Sequence, residues 1–584
     1  MKTVKFMFFT IGMLLIGFVP GTAQNTSEAE FVKMTREYTI NPDGSYDMRS
    51  TKQLKLFTHM SFNSLYGESF VVYNPDYQKL TINECYTIRA DGKRIDAPRI
   101  NAFNEVLPRF AANAPQHNQL REMVITHTGL ELGATIYLDY TLHTQAGYSN
   151  GLMVNDVLQE TSPVKEYTVS VEYPSDIALL YRQYNTTKPS HTEKDGKIKI
   201  SWVAKDIAAR SLEFFQPADG REAPRVAFTT VAGNKLVDLL AKQLTMPGNN
   251  IQNKVKELIA DKTDNKQKTK VITDFVLNNI ALTNVPLEYT GYKLRPVDEI
   301  FRTASGTAIE KASLLAAMLT SAGVKAVPVF TTPLWTGEGF SIIPQTTPDT
   351  NSFDFYLPGA NEYPVLVENN EYVSPLRAET FMWDDENKNC YAIKQGGTEK
   401  IQPIMKSVGI NYNYTISGKM NDKNEIVFEA AKNGGYEVLT SSNTKINSIS
   451  DNDKEPKAMP VTNNNGYYTI NLPTSNVGIN SWRMNTFSAE PRKTLLEIPY
   501  PVSENYTYTC TLPGNMQLVN NSPDVKITNA VGEVVIAIKG NNNTINVTRN
   551  IKLNSSAIEP KNYKAFKELM DAWNTLNNQA IIVK

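Results

Sequence analysis

The chain has 584 residues, a formal charge of −1 at neutral pH and an apolar fraction of 41%. This length predicts three or four domains of about 100–200 residues each, and the apolar content excludes a largely disordered chain. The balanced charge shows no strong basic excess, so we do not expect a nucleic-acid-binding protein. The three cysteines, Cys85, Cys390 and Cys510, are far apart and odd in number, which favours free thiols over a disulfide framework.

The N-terminus has the pattern of a secretory signal peptide. Lys2 and Lys5 precede a mostly apolar run, Phe6–Val19, and small residues follow as far as Ala23. The run is shorter than the ~20 residues that a membrane-spanning helix needs, so we predict cleavage after Ala23 and a signal peptide over residues 1–23. We therefore expect an exported protein whose mature part has no transmembrane segment.

Residues 24–230 predict a β-sandwich-like domain. Apolar and polar residues alternate in short segments with no helical pattern between them, which is typical of a sandwich. The turn sequences at 41–44 and 91–92 are typical of hairpins between such strands. The clearest predicted strands are Thr135–Leu142, Tyr167–Tyr173 and Lys197–Val203.

Residues 231–404 change to the helical period and predict an α+β domain with helices first and strands second. The predicted helices are Lys235–Leu244, Lys254–Ile259, Lys266–Ile280 and a fourth that begins at Ala308. The predicted strands are Lys325–Phe330, Ser352–Leu357 and Tyr363–Val367.

Residues 405–584 predict a second β-rich domain that ends in a helix. The predicted strands are Asn411–Ser417, Glu425–Ala430, Glu533–Lys539 and Thr544–Arg549, and 447–466 is interpreted as a long polar loop. The terminal helix should dock on this domain, because one stripe of it is formed by Tyr563, Phe566, Met570 and Trp573. The whole chain is thus predicted to be a multi-domain α+β protein.

The helix that begins at Ala308 has an unusually complete set of sequence signals. Thr307 and Glu310 have the spacing of a capping box, which makes Ala308 the first helical residue. Apolar residues then recur at intervals of three and four, and Gly323 is a typical terminator. A cysteine at this first turn would have its thiolate stabilised by the helix dipole. Alanine preserves the packing there and provides no nucleophile.

The sequence GYKLRPVDEIFRTASGTAIEKASLLAAMLTSAGVKAVPVF, residues 291–330, resembles the core of the transglutaminase-like superfamily, which has a papain-like fold. The whole chain is similar in layout to exported bacterial proteins that carry such a domain between two β-rich domains of unknown function. Active members begin this helix with Gly-Asp-Cys-Lys-Asp-Lys-Ala, whereas Gly306–Ala312 is Gly-Thr-Ala-Ile-Glu-Lys-Ala. The resemblance therefore places the catalytic cysteine of the family at Ala308. It also implies a periplasmic, cell-surface or secreted protein of a Gram-negative bacterium.

The resemblance also implies that the other two catalytic positions are vacant. The histidine of the family corresponds to Asp354, to within a residue or two, and its orienting aspartate corresponds to Ser374. All five histidines of the chain lie at or before His191, so the central domain has none of its own to act as a base. Catalysis of the family's kind is therefore not expected.

The prediction that follows is an inactive transglutaminase-like domain that binds a peptide or a glycan. Aromatic residues proposed for its cleft, each with core packing or an ordinary surface position as the alternative, are Tyr292, Trp335, Phe340 and Trp383. Two other functions stay open: an inert envelope scaffold, and a protease or acyltransferase with another nucleophile such as Ser305 or Thr307. Paired carboxylates have no spacing signature and also stay open. No metal or cofactor motif is present, so we expect no cofactor.

Overall fold

The structure is a computed structural model that describes eighteen stretches of the chain. They are residues 27–210, 213–216, 223–231, 233–333, 341–343, 365–368, 371–376, 388–394, 399–401, 412–423, 425–434, 457–474, 479, 491–498, 502–519, 524–555, 557–575 and 578–584. The predicted signal peptide, the predicted strand at 352–357, and the candidate residues Asp354, Trp335, Phe340 and Trp383 lie outside the described residues.

The N-terminal region, residues 27–231, is built almost entirely from strands. They are β1 Ala29–Ile40, β2 Tyr46–Leu56, β3 Glu68–Tyr73, β4 Gln78–Ile88, β5 Arg94–Asp96, β6 Phe103–Val106, β7 Arg121–Thr126, β8 Thr135–Thr144, β9 Met153–Val157, β10 Val164–Pro174, β11 Leu180–Tyr184, β12 Ser190–Lys194, β13 Lys197–Ile207 and β14 Arg225–Thr229. Two one-turn helices are also present, α1 Ser64–Gly67 and α2 Arg99–Ala102. The three strands singled out from the sequence are confirmed as β8, β10 and β13.

These strands form one large sheet that is covered by two small ones. The large sheet has eight strands in the order β12-β13-β10-β1-β2-β8-β4-β5. One covering sheet has the order β3-β7-β6, and the other has the order β18-β11-β14-β9, where β18 is the later strand Ser341–Ile343. Each covering sheet forms its own hydrophobic core with the large sheet, because Val71 packs with Leu138 while Phe228 packs with Ile136. The alternating strand pattern produces this layering, since every second residue turns toward the covering sheets.

The central region, residues 233–401, has helices first and strands second, as predicted. The helices are α3 Gly233–Ala241, α4 Asn249–Leu258, α5 Asn265–Asn279, α6 Val297–Thr303 and α7 Ala308–Ser321. Besides β18, the strands are β15 Ala281–Leu282, β16 Ser305–Gly306, β17 Ala326–Pro333, β19 Val365–Val367, β20 Glu371–Val373, β21 Lys388–Ala392 and β22 Glu399–Ile401. An antiparallel sheet in the order β20-β19-β17-β21-β22 packs against α7.

The C-terminal region, residues 412–584, is a second β-rich unit. Its strands are β23 Tyr412–Met420, β24 Glu425–Gly434, β25 Lys457–Pro460, β26 Thr462–Asn464, β27 Tyr467–Asn471, β28 Leu496–Glu497, β29 Ser503–Thr511, β30 Val525–Thr528, β31 Gly532–Asn541, β32 Thr544–Leu553, β33 Ala557–Ile558 and β34 Ala580–Val583. Helix α8, Tyr563–Asn574, docks on this unit as predicted, because Tyr563, Phe566, Met570 and Trp573 are all buried.

The interpretation of 447–466 as one long loop is wrong for its second half, where β25 and β26 lie. Both are edge strands, β25 of a seven-stranded sheet and β26 of a three-stranded one. An edge strand tolerates Pro460 because one side of the strand needs no ladder hydrogen bond, so proline was a misleading loop signal here.

Contacts join the three regions. Phe110 stacks on Tyr289 with ring centroids 5.3 Å apart, and Lys293 Nζ donates to Tyr77 Oη at 2.9 Å. On the other side, the Thr494 hydroxyl donates to the Glu213 carboxylate at 2.6 Å. The domain boundaries predicted at 230 and 404 stay predictions. Within the described residues, no helix has the length and apolar character needed to cross a bilayer.

Candidate functional site

The first turn of α7 is formed as the sequence predicts. Ala308 is its first residue, and the Glu310 carboxylate accepts a hydrogen bond from the Thr307 N–H at 2.9 Å. The helix ends at Ser321, and Gly323 has φ +82°, a left-handed conformation that favours glycine after a helix. Ala308 is partly buried against the central core. No atom at this position can serve as a nucleophile.

A buried ion pair occupies the space beside this turn. Glu310 is 2% exposed, and its two carboxylate oxygens accept from Arg295 Nε at 3.0 Å and Arg295 Nη2 at 2.9 Å. The Arg295 backbone N–H also donates to Glu310 at 3.0 Å, and Arg295 Nη2 donates to the Ser305 carbonyl at 2.8 Å. Burial alone would raise the pKa of Glu310, but the hydrogen bonds and charge of Arg295 outweigh it, so the pKa is lowered. Glu310 is therefore a fixed anion and not a proton carrier at neutral pH.

Lys311 is a second buried charged group at the start of α7. Its side chain is 2% exposed, and Nζ donates to the Ile280 carbonyl at 2.5 Å. Burial lowers the pKa of Lys311 to about 8. A carbonyl oxygen has no proton to give up, so this lysine links two chain segments and has no acid–base partner in that contact.

The other predicted site residues fall in different environments. Ser374 is buried directly after β20, and its hydroxyl oxygen accepts from the Leu376 N–H at 3.1 Å. It follows an edge strand of the sheet that packs on α7. Tyr292 is 3% exposed and belongs to the central hydrophobic core. Its environment therefore favours the core alternative over a cleft position. Cys390 lies on β21, after the Ser374 segment.

The structure also brings a histidine of the N-terminal region toward α7. His117 ends a short turn, Pro115–His117, and is buried. Burial lowers the pKa of His117, against the raising effect of the Glu310 charge and together with the lowering effect of Arg295. Neighbouring residues of that segment pack on Val285. Sequence reasoning missed this approach because it joins two distant parts of the chain, and no local pattern reports such a contact.

The described residues contain no group of three or more histidine, cysteine, aspartate or glutamate side chains arranged to hold a metal ion.

Comparison with known proteins gives matches over most of the chain. Residues 42–211 match the family DUF3857 and residues 465–583 match DUF3858, both described as domains of unknown function. The crystal structure of a "putative protease" from Parabacteroides distasonis ATCC 8503 superimposes with a TM-score of 0.76 at 32% identity, covering 95% of this chain and 99% of that one. The chain belongs to the same family as this protein. Within that family, residues 42–211 and 465–583 correspond to two flanking domains of unknown function, which the sequence layout also predicts.

More distant solved structures give partial matches. An M1 zinc metallopeptidase from Deinococcus radiodurans matches at 10% identity over 50% of this chain and 63% of its own, with a TM-score of 0.19. A two-domain M1 zinc metallopeptidase bound to L-tryptophan matches at 11% identity over 35% and 42%, also with a TM-score of 0.19. Similarity this low supports no argument. Among curated proteins there is no match.

Proposed function

We propose that this protein is an exported peptide-binding protein whose central region has a transglutaminase-like, papain-like core without the catalysis of that superfamily. The resemblance of residues 291–330 supports the fold, and the signal peptide predicted at residues 1–23 supports export across a Gram-negative inner membrane. The position that would carry the nucleophile is Ala308. We therefore assign the central region a role in binding in place of acyl transfer.

The observation that carries the proposal is the fixed ion pair of Arg295 and Glu310 at the first turn of α7. Cysteine catalysis needs a thiolate at this turn and a base that can take its proton. Here the turn has alanine, and the adjacent carboxylate of Glu310 is fixed by four hydrogen bonds, three from Arg295 and one from Thr307. Arg295 and Glu310 therefore hold the fold together here, and the Glu310 carboxylate is not a proton acceptor at neutral pH.

A peptide is favoured over a glycan as the ligand because of the family relationship. The related Parabacteroides protein is described as a "putative protease", and a protease cleft is shaped for an extended peptide. An inactive relative that retains the cleft would keep that ligand class. The scaffold role has no observation of its own in its favour.

Two measurements on the full chain test this proposal. Fluorescent peptides from a tryptic digest of casein should bind, as judged by fluorescence anisotropy, while incorporation of dansylcadaverine into casein should stay at background. Ala308→Cys should also stay at background, because neither Asp354 nor Ser374 supplies the missing histidine and aspartate. The triple variant Ala308→Cys, Asp354→His, Ser374→Asp rebuilds the three roles, and weak amine transfer by it would support the assigned positions. Amine transfer by the wild-type chain, or peptides that do not bind, would contradict the proposal.

A further inference from the structure

A polar seam separates the two hydrophobic cores of the N-terminal region. Lys52 on β2 lies opposite Met34 on β1 and opposite Leu138 on β8, so the three side chains share the covered face of the large sheet. Met34 belongs to the core under one covering sheet, and Leu138 belongs to the core under the other. A lysine between two cores is costly to bury without partners. We call Lys52 and its polar partners Ser69, His127 and Cys85 the seam.

Lys52 begins a continuous hydrogen-bonded network. Its Nζ lies 2.5 Å from the Ser69 Oγ on β3, and that oxygen lies 2.8 Å from His127 Nε2. His127 Nδ1 in turn lies 3.6 Å from the Cys85 Sγ on β4. Ser69, His127 and Cys85 are each at least nine-tenths buried. A nucleophilic hydroxyl within hydrogen-bond reach of a base, with a third group fixing the orientation, is the arrangement that covalent catalysis requires.

The protonation states fit this arrangement. Burial lowers the pKa of Lys52 to about 8, while Glu160 and Cys85 act in the raising direction. Burial and the charge of Lys52 lower the pKa of His127 to about 3, so its ring is neutral. Burial raises the pKa of Cys85 to about 11, so its thiol keeps its proton. Lys52 is thus the group of the network that titrates near physiological pH.

Two directions of hydrogen bonding are possible, and the proton on Lys52 selects between them. A charged Lys52 donates to Ser69, whose hydroxyl then donates to His127 Nε2, and His127 Nδ1 donates to Cys85. When Lys52 is neutral, every bond reverses: the thiol donates to Nδ1, Nε2 donates to the serine oxygen, and the serine hydroxyl points at the lysine lone pair. In this second state the hydroxyl faces a base, and the ring N–H donates to the serine oxygen, which stabilises that oxygen when the acyl-serine bond breaks.

We propose that Ser69 is the nucleophile of a second site, in the N-terminal region, which accepts small acyl groups from esters or amides, with Lys52 as general base and His127 as donor to the serine oxygen. The seam has an open side. Lys52 and Glu160 are only partly covered, and Arg36 keeps 34% of its side chain exposed. Arg36 lies diagonally across from Lys52 on neighbouring strands, about 7–8 Å away. In the proposal, a small acyl group reaches Ser69 from this partly exposed side.

The reaction balances without a cofactor. Ser69 Oγ passes its proton to neutral Lys52 and forms a bond to the carbonyl carbon of the substrate. The bond from that carbon to the leaving alcohol or amine breaks, and the leaving group takes the proton from Lys52. Water then adds to the acyl-serine ester and gives a proton to Lys52, which returns it to Ser69 as the carboxylic acid departs.

A serine-reactive fluorophosphonate tests the site directly on the full chain. We expect peptide mapping by mass spectrometry to find the label on Ser69, with a labelling rate that rises as pH passes through about 8 and then levels off. The charged or titratable groups facing Lys52 or its neighbour Glu160 are Cys85, His127, Arg36, Asp156 and Arg210. The effects of these groups on Lys52 are already included in its pKa of about 8, which lies about two pH units below that of an ordinary lysine.

Matched variants separate catalysis from structure. Lys52→Arg keeps the positive charge but removes a base that can lose its proton near pH 8, so labelling should slow at least ~100-fold. Ser162→Ala is the control, because Ser162 is a buried serine of the same region whose hydroxyl is bonded to the Tyr66 hydroxyl at 2.8 Å. Ser69 should be labelled at the same rate in Ser162→Ala as in the wild type. An unlabelled Ser69 in the folded wild-type chain, or an unchanged rate in Lys52→Arg, would overturn the proposal.

Turnover provides a second readout that does not depend on a variant folding. Wild-type protein should release 4-nitrophenol from 4-nitrophenyl acetate in a burst of one equivalent per chain, and acetyl-Ser69 should be detectable by mass spectrometry. Acetyl groups confined to surface lysines would instead mark a purely structural network and contradict the proposal. This site is independent of the peptide-binding function, because its residues lie outside the central region. Either proposal can therefore fail alone.

Discussion

Lys311 in the central region and Lys52 in the N-terminal region are both lysines whose pKa burial lowers to about 8. They differ in the atom that receives their hydrogen bond. Lys311 Nζ donates to the carbonyl of Ile280, whereas Lys52 Nζ lies against the hydroxyl of Ser69. A carbonyl accepts and never gives a proton, so the first contact is a structural link. A hydroxyl can give its proton to a neutral amine, so the second contact has a possible reaction.

The comparison shows that burial of a charged group does not by itself indicate a site. Around α7, every buried charge has a partner that fixes it: Glu310 with Arg295, and Lys311 with a carbonyl. In the seam, the partners are neutral and titratable groups, Ser69, His127 and Cys85, and protons can be redistributed among them. Three predictions test this difference between the two regions, in order of decreasing expected effect.

The largest effect should come from Glu310→Gln. It leaves the Arg295 guanidinium, whose side chain is only 14% exposed, without its anion, which costs about 3–5 kcal/mol. The free energy of opening of α7, measured by hydrogen exchange, should fall by this amount. Because the pKa of Glu310 is lowered in the folded protein, the wild type should lose this stabilisation as pH falls through that pKa, and Glu310→Gln should not.

The matched control is Asp274→Asn, which breaks an exposed pair with Lys270 on α5. That change should cost less than about 1 kcal/mol, because solvent screens the exposed charges. Equal losses in both variants would show that the Glu310 pair does not hold the first turn of α7.

A smaller effect is expected from Ala308→Asp. The new carboxylate would lie partly buried against the central hydrophobic core, and the favourable helix dipole offsets only part of the cost, so α7 should lose about 1–3 kcal/mol. Ala308→Cys should be tolerated, because the two side chains are close in volume. Melting temperatures that are the same for both variants would contradict the packing assigned to Ala308.

The smallest expected effect is on the slope of protein stability against pH. A lysine whose folded pKa is about 8 binds its proton less tightly than the unfolded chain, so stability should rise as pH increases from about 8 to about 10.5. Each lysine contributes at most about 1.4 kcal/mol per pH unit. Lys311→Met and Lys52→Met should each reduce the slope seen in melting temperatures, but labelling of Ser69 should be lost only in Lys52→Met. Loss of labelling in Lys311→Met would contradict the distinction between the two lysines.

The sequence alone predicted the elements whose signals are local. The start of α7 at Ala308, its end before Gly323 and the buried stripe of α8 all follow from capping, glycine and periodicity, which act within a few residues. The same local signals failed at β25, where Pro460 suggested a loop and an edge position in a sheet permitted a strand. Whether a strand lies at an edge depends on its neighbours in space, and its own sequence does not show this.

The sequence by itself therefore determined that alanine occupies the first position of α7 and that no histidine follows His191, since composition and order are enough to show an absence. Only the tertiary structure decided that Tyr292 packs in a core and that His117 reaches the vicinity of Glu310. It also brought Lys52, Ser69 and His127 from three separate segments to within hydrogen-bond distance. The physical reason is that strand register and sheet packing set distances between remote residues, and these depend on the combined burial of many side chains.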